Sequence, residues 1–387
     1  MFDIAAIVQS TFHRSPTITR GRSPRAALVG HGVVLATAIL LGASGGAAAQ
    51  TRVACVGSAE ELAAALSALS TSTGDNDADD IRIRVGTYAA PVGGWVGSVS
   101  NNHDLSIRGG YVDAACAEQR MDASLTVLDG GGVDGVLTIN ANAIPNSAIV
   151  ISGLTFQNGR GSSPFQSSAG GLKIGDPGPV AGGSVLVERN IFRHNIGVAG
   201  PGEQAVGGLL VATDGQPLIV RGNLFVDNES PNASAAYLFS NNAIDVANNT
   251  FARNVSTDTQ LTQRVVLDYF TFGGLKLDNN IFWDNSTAAG IADIDVSGQF
   301  RHADLRNNDI QSLLGTPVTS TGALAISPGF SHVDDFRLSP SSPLVDAGVD
   351  AIAGSSAVDL DGAQRIDGVA IDLGAYESNY IFVAGFE

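Results

Sequence analysis

A short pattern recurs along the middle of the chain and limits the fold more than any other feature. Each copy has two apolar residues separated by one residue, then a polar turn with asparagine, then another apolar residue, usually phenylalanine. In the first and weakest copy, Leu154 replaces the asparagine. The copies are Ile149–Phe156, Val185–Asn195, Leu218–Asn228, Ile244–Asn254, Leu275–Asn285 and Ala303–Ile310.

The spacing within each copy predicts strands that stack. Alternation with a period of two is typical of a β-strand, and asparagine pairs favour turns. A unit this short cannot enclose a core alone, so successive copies must cover one another. We therefore predict an all-β fold, a right-handed parallel β-helix solenoid with Val185, Val187 and Phe192 among its inward positions. The recurring asparagines predict an internal hydrogen-bonded ladder with a structural role: Asn190, Asn223, Asn249, Asn280 and Asn308.

The two ends of the mature chain differ from the repeats. Ser58–Glu61 has the pattern of a capping box, and an apolar stripe follows it, which predicts a short helix over the first coil. Residues 336–377 are rich in Pro, Asp and Gly and favour an irregular C-terminal cap. The predicted divisions are an N-terminal cap with the first coils (50–130), the β-helix repeats (131–335) and the C-terminal cap (336–377).

The first 49 residues have the three parts of a secretory signal: an arginine-bearing stretch, an apolar run and small residues that end at Ala49. A transmembrane anchor is the alternative, but glycines and a histidine interrupt the run. We expect cleavage after Ala49 and a secreted or outer-surface location. In an exported protein, two cysteines, Cys55 and Cys116, favour one disulfide over two free buried thiols.

The charge of the chain excludes one class of partner. Four of the 21 basic and one of the 38 acidic residues lie in 1–49, so the mature chain carries a net charge of −20. Lys173 and Lys276 are the only lysines. Such a surface repels polyanions, and we expect no nucleic-acid partner.

Several motifs resemble those of known families. The segments Glu60–Leu66, Val85–Tyr88 and Leu105–Tyr111 resemble bacterial secreted β-helix proteins of the pectin-lyase-like superfamily. The closing segments, Leu338–Gly348 and Asp359–Glu377, resemble the "choice-of-anchor Q" domain. This resemblance implies a secreted β-helix and raises the question of polysaccharide-cleaving chemistry.

Two further resemblances concern the cell surface. Phenylalanine followed three residues later by asparagine, with Gly-Gly-Leu before it at Gly170 and Gly207, is similar to the repeats of polymorphic outer-membrane proteins, which are surface adhesins. Those proteins end in a membrane barrel, for which too few residues follow here, so we expect no transmembrane barrel in this chain. Residues 378–387 resemble the short tails of exported gammaproteobacterial proteins and are interpreted as a sorting tail.

Lyase chemistry would need a base, usually Lys or Arg, and a cation that neutralises the uronate carboxylate. Lys276 is a weak catalytic candidate, since Asp245 and Asp304 occupy the same outward position one coil to either side. A cross-coil ion-pair ladder explains these three residues better. No catalytic set is identified with certainty.

A polar column after each phenylalanine is the better candidate site. Mixed Asp, Arg and His side chains on one rigid face can bond sugar hydroxyls, and an adjacent tryptophan can stack on a sugar ring. A solvated ion-pair face is the alternative. The predicted ligand-binding residues are His194, Asp227, Arg253, Trp283 and Asp284.

Two acidic clusters raise the question of Ca²⁺. Asp75–Asp80 lacks the glycine and glutamate of an EF-hand loop and is interpreted as a solvated loop. Around Arg365, acidic residues of the C-terminal cap favour a buried Arg–carboxylate bond over an ion: Asp359, Asp361, Asp367, Asp372 and Glu377. We expect no metal site and no cofactor, with Ca²⁺ as the open alternative.

These observations lead to one hypothesis and one rival. The first is a non-enzymatic, exported, cell-surface-associated and monomeric protein whose stacked face binds a glycan or a partner surface, as an adhesin does. The rival is a polysaccharide lyase or glycoside hydrolase that acts on an extracellular polysaccharide.

Overall fold

The structure, a computed structural model, describes residues 51–69, 78–99, 104–141, 147–162, 167–175, 183–199, 204–214, 217–257, 265–287, 293–350 and 357–378. The predicted signal and all of the predicted tail but Ser378 lie outside these ranges. Within them, strands of successive coils pair in parallel and in register. The predicted all-β, parallel β-helix fold is confirmed.

Within the described residues, four parallel sheets form the sides of the solenoid, and we name them A to D. Sheet A has ten strands: Thr51–Val56, Ala78–Arg84, Leu105–Tyr111, Ile149–Ser152, Val185–Glu188, Leu218–Arg221, Ile244–Ala247, Leu275–Asp278, Ala303–Arg306 and Thr319–Thr321. Sheet B has eight: Gly86–Ala89, Thr126–Asp129, Thr155–Gln157, Ile191–Arg193, Leu224–Val226, Thr250–Ala252, Ile281–Trp283 and Asp309–Ile310. Sheet C has ten: Trp95–Val99, Leu137–Ala141, Ser168–Ala169, Leu172–Ile174, Ala205–Val206, Leu209–Thr213, Ala233–Ser240, Val265–Thr271, Ile294–Asp295 and Leu313–Leu314. The short sheet D has five: Arg160–Ser162, Ile196–Val198, Glu229–Ser230, Val255–Ser256 and Ser286–Thr287.

The core follows the alternation of the repeats. Val185 and Val187 point inward and are buried, whereas Leu186 between them is partly exposed. Five phenylalanines of sheet B stack along the axis, with ring centroids 4.4 to 5.1 Å apart. The spacing matches the separation of neighbouring strands, so each ring covers the next without a gap. They are Phe156, Phe192, Phe225, Phe251 and Phe282.

Two asparagine ladders close the turns between sheets. In the ladder of Asn190, Asn223, Asn249, Asn280 and Asn308, each Nδ2 donates to the next Oδ1 at 2.9 to 3.1 Å. A second ladder, absent from our predictions, follows the phenylalanine stack, with Nδ2–Oδ1 distances of 2.9 to 3.1 Å. It consists of Asn195, Asn228, Asn254 and Asn285.

The N-terminal end is covered by the α-helix Ala59–Leu69, whose buried leucines face the first coil. Ser58 Oγ accepts from the Glu61 backbone N–H at 3.2 Å, and Glu61 Oε2 accepts from the Gly57 backbone N–H at 2.6 Å. The Ser58 bond is that of a capping box, whereas the glutamate accepts from the residue before the N-cap instead of from Ser58. A disulfide joins Cys55 to Cys116. Among the described residues, no helix is both long and apolar enough to cross a membrane.

We call residues 330–378, which follow the last coil, the C-terminal segment. Its described residues contain the antiparallel hairpin Phe330–His332 and Asp335–Leu338 and are otherwise irregular. It runs back along the side of the solenoid rather than simply closing its end. Its Leu360 carbonyl accepts from Ala123 at 3.4 Å, near the short 3₁₀ helix Ala123–Leu125. It also buries the outward apolar side chains of sheet B: Ile191, Leu224, Val226 and Ala252.

Candidate ligand-binding groove

The C-terminal segment leaves a groove between itself and the outer face of sheet B. One cavity of about 640 Å³ is bordered by strand ends of sheet B on one side and by residues 334–337 on the other. A second cavity of about 300 Å³ adjoins it, since Arg253 and Phe336 line both. We refer to the two together as the groove.

The predicted polar column forms one wall of the groove. His194, Asp227 and Arg253 line the larger cavity, and Arg253, Trp283 and Asp284 line the smaller one. The structure thus brings all five predicted residues to one continuous surface, although Arg253 divides them between two cavities.

Backbone geometry explains why this wall is regular. His194, Asp227, Arg253 and Asp284 each have φ of 53 to 55°, in the left-handed region. In each of these coils the next residue is a ladder asparagine that points into the core. The side chain of the left-handed residue itself therefore projects outward. A non-glycine residue in this region costs about 1 kcal/mol or more, which the two or more bonds made by each buried ladder amide offset.

Arg253 connects the two walls. Its Nε and Nη2 donate to the Asp227 carboxylate at 2.9 and 2.7 Å, and its Nη1 donates to Asp334 at 2.9 Å and to the Val333 carbonyl at 2.7 Å. Its guanidinium lies 5.0 Å from the ring centroid of Phe336. Burial alone would lower the pKa of Arg253, but the two carboxylates raise it, so this arginine stays charged.

A second arginine, which sequence reasoning missed, also pairs with two aspartates, on the opposite wall. Arg337 Nε and Nη2 both donate to Asp361 Oδ2, at 2.9 and 2.6 Å, and Nη1 donates to Asp335 at 3.1 Å. The guanidinium lies 4.6 Å from the ring centroid of Tyr376. Arg337 belongs to no repeat, and its only sequence signal is its place beside the motif that resembles an anchor domain.

Asp361 has a buried carboxyl neighbour. Burial raises the pKa of Asp359 to about 7, and the adjacent Asp361 adds to the effect. Burial would also raise the pKa of Asp361, but hydrogen bonding with Asp359 and with Arg337 brings it below its usual value. Asp359 is only 1% exposed and accepts backbone N–H groups with both oxygens. Asp359 lines neither cavity of the groove.

The candidate lyase residues lie elsewhere. Lys276 is on sheet A, more than half exposed, with Nζ 3.7 Å from Asp245 Oδ1. Asp304 accepts from Thr319 Oγ1 at 2.6 Å. None of the three lines either cavity of the groove. Of the predicted ion-pair ladder, the described residues show the contact between Lys276 and Asp245.

The bond expected between Arg365 and a carboxylate is replaced by another arrangement. Buried Arg365 donates through Nη2 to the carbonyls of Asp372 and Gly374, and its Nη1 has no hydrogen-bond partner among the described residues. The carboxylates accept backbone N–H groups instead, for example Glu377 from Asp372 at 3.1 Å. Carboxylates thus tie the loops of this segment through the backbone.

The N-terminal acidic cluster is only partly described. Asp79 pairs with Arg52 at 2.7 Å, and Asp80 pairs with Arg108 at 2.5 Å, while Asp75 and Asp77 lie outside the described ranges. Within those ranges, no three His, Cys, Asp or Glu side chains are placed to hold a metal ion.

Comparison of the chain with protein-family models, with curated proteins and with solved structures finds no match.

Proposed function

We propose that this chain is an exported, cell-surface-associated β-helix protein of the pectin-lyase-like kind that binds a glycan in the groove without cleaving it. The observation that carries the proposal is the groove itself, in which a column of turn residues faces the C-terminal segment. Its cavities of about 640 and 300 Å³ fall within the 300 to 1,000 Å³ that is usual for ligand sites.

The chemistry of the groove suits sugars. One Arg–Asp pair lies on each wall, and the remaining donors and lone pairs of the two pairs can bond vicinal hydroxyls. Trp283 is partly exposed and lines the smaller cavity, where a sugar ring can stack on it. Rigid polar groups beside an apolar floor bind with little loss of side-chain entropy.

The binding test uses a glycan array, followed by calorimetry on the best oligosaccharide. We expect Arg337→Ala to weaken binding at least tenfold, because it removes the pairing with Asp361 and loosens the wall around Tyr376. Arg306→Ala is the matched control, since Arg306 also donates through Nε and Nη2 to one carboxylate, that of Asp278 at 2.9 and 2.6 Å, on sheet A outside the groove. It should leave affinity within twofold of the original.

Two outcomes would contradict the proposal. One is equal affinity in the original protein and the Arg337→Ala variant, with circular dichroism showing that both are folded. The other is turnover: new reducing ends or unsaturated ends, released from the bound polysaccharide in proportion to protein, would favour the hydrolase or lyase instead.

Export is proposed on the resemblance of residues 1–49 to a signal peptide and of the closing segments to an anchor domain. We expect the protein recovered from the producing cell's surface or medium to begin at Gln50, as measured by N-terminal mass spectrometry. An intact Met1 on the recovered protein would show that the segment is not a cleaved signal.

A further inference from the structure

The two cavities form one long binding surface. Asp284 and His194 lie at opposite ends of the polar column, three coils apart. At the usual strand spacing this is roughly 14 Å. A single sugar ring cannot contact both ends, so the groove suits an oligosaccharide.

Carboxylates outnumber guanidinium groups along this surface. Six aspartates and three arginines line it, which gives a formal charge of −3 with His194 and His332 neutral and −1 with both charged. The aspartates are Asp122, Asp227, Asp284, Asp334, Asp335 and Asp361. The potential inside a groove of one sign is reinforced by the low-dielectric walls and favours ligands of the opposite charge.

The arginines are largely occupied by these carboxylates. Arg253 bonds Asp227 and Asp334, and Arg337 bonds Asp361 and Asp335. A uronate carboxylate at Arg253 or Arg337 would have to displace an aspartate, and one at Arg193 would still meet a net negative surface. The third arginine, Arg193, donates to the neutral side chain of Gln157 at 2.8 Å.

Some of the aspartates keep oxygens open to solvent. The side chain of Asp334 is 80% exposed although it contacts Arg253. The exposed Asp284 follows Trp283 directly in the chain, and both line the smaller cavity. A protonated amine placed there would meet a carboxylate and a tryptophan ring together, and both attract cations.

We propose that the groove selects oligosaccharides of amino sugars and discriminates against uronates. This inference rests on the proposed glycan-binding function and adds the class of ligand to it. Protonated amines compensate the surplus aspartates, while the sugar hydroxyls bond the Arg–Asp pairs.

The test compares three oligosaccharides of equal length by calorimetry at pH 6 and physiological salt: glucosamine, N-acetylglucosamine and galacturonate oligomers. At this pH the amines of the glucosamine oligomer are largely protonated, whereas the acetamido groups carry no charge. We expect the glucosamine oligomer to bind about tenfold more tightly than its N-acetylated counterpart and the galacturonate oligomer to bind most weakly.

A matched pair of variants separates the groove from general attraction to an acidic protein. Asp284→Asn should weaken glucosamine binding at least threefold more than it weakens N-acetylglucosamine binding, because only the protonated amine loses a charge partner. The left-handed turn accepts Asn readily, as Asn158 in an earlier coil shows with φ of 53°. Asp304→Asn, an equally exposed site on sheet A, should change neither affinity.

The outcomes separate this inference from the function on which it rests. Equal or tighter binding of the galacturonate or N-acetylated oligomer overturns the amino-sugar preference, as would equal losses in Asp284→Asn and Asp304→Asn. If the galacturonate or N-acetylated oligomer binds best but its binding is lost in Arg337→Ala, the groove still binds glycans and only the amino-sugar preference is wrong. Failure of all three oligomers and of the array overturns both proposals.

Discussion

Replacement of Asn249 by alanine should lower the free energy of unfolding by about 3 to 5 kcal/mol. Its Oδ1 accepts from the Asn223 backbone and side chain at 2.9 and 3.0 Å, and its Nδ2 donates to Val220 O and Asn280 Oδ1, each at 2.9 Å. The residue is fully buried. Without the amide, buried polar groups of two neighbouring coils lose their partners, which is why the cost exceeds that of one ordinary hydrogen bond.

The adjacent residue supplies the control. Asn248 lies in the same turn with φ of 55°, and its Nδ2 has no hydrogen-bond partner among the described residues. Gly153 and Gly222 occupy the same left-handed position in other coils. Asn248→Gly should therefore change stability by less than about 0.5 kcal/mol. Urea unfolding followed by circular dichroism measures both variants, and equal effects at the two positions would contradict a ladder role for Asn249.

Stability should fall as pH rises from 4 to 7 because of two aspartates near the C-terminal end of the solenoid. Burial raises the pKa of Asp293 to about 6. Burial also raises the pKa of Asp309 to about 6, and the charge of Asp293 adds to the effect. The folded chain holds protons that the unfolded chain releases near pH 4. The two carboxyls therefore contribute to the free energy of unfolding in full below pH 4, and this contribution is lost as the pH rises through 6. About 2 kcal/mol per group is expected.

The variant Asp309→Asn isolates this effect from other titrating groups. Asp309 Oδ1 accepts from the Ile326 N–H at 2.9 Å, while Oδ2 is buried with no hydrogen-bond partner among the described residues. The stability difference between Asp309→Asn and the original protein is measured at pH 4 and at pH 8. Between these two values it should shift by about 2 kcal/mol in favour of the variant. A stability difference that does not change with pH would show that Asp309 is not protonated in the fold.

A double-mutant cycle with Asp293→Asn tests the coupling of the pair. Each single substitution removes one of two like charges, and so relieves the other. The gain of the double variant at pH 8 should therefore be smaller than the sum of the single gains. Strict additivity would mean that the two carboxyls do not interact.

One wall of the groove could be predicted from sequence and the other could not. His194, Asp227, Arg253 and Asp284 occupy the same place in successive repeats, so their common height and outward direction follow from the period alone. The second asparagine ladder was equally visible, as the asparagine three residues after each phenylalanine. Its regularity shows that a repeated polar residue next to a core position is a sign of buried hydrogen bonding.

Arg337, Asp361 and Tyr376 carried no such signal. They lie in a segment without periodicity, and nothing local indicates which side of the solenoid that segment covers. The contact between Arg253 and Asp334 joins residues 81 positions apart. It depends on the route of the whole segment, and the same holds for the Arg365 guanidinium, which bonds carbonyls although five acidic residues are near in sequence.

The amino-acid sequence by itself determined the strands, their parallel stacking, the phenylalanine stack and the outward column of turn residues. These features depend on alternation within a repeat and on one repeat per coil, which are properties of neighbouring residues. Only the tertiary structure decided that the C-terminal segment lies against sheet B, and thereby where a groove forms and which charges meet across it. The physical reason is that apolar side chains on the outside of sheet B must be buried, and the irregular segment that buries them brings its own arginines, aspartates and aromatic rings to positions that no repeat specifies.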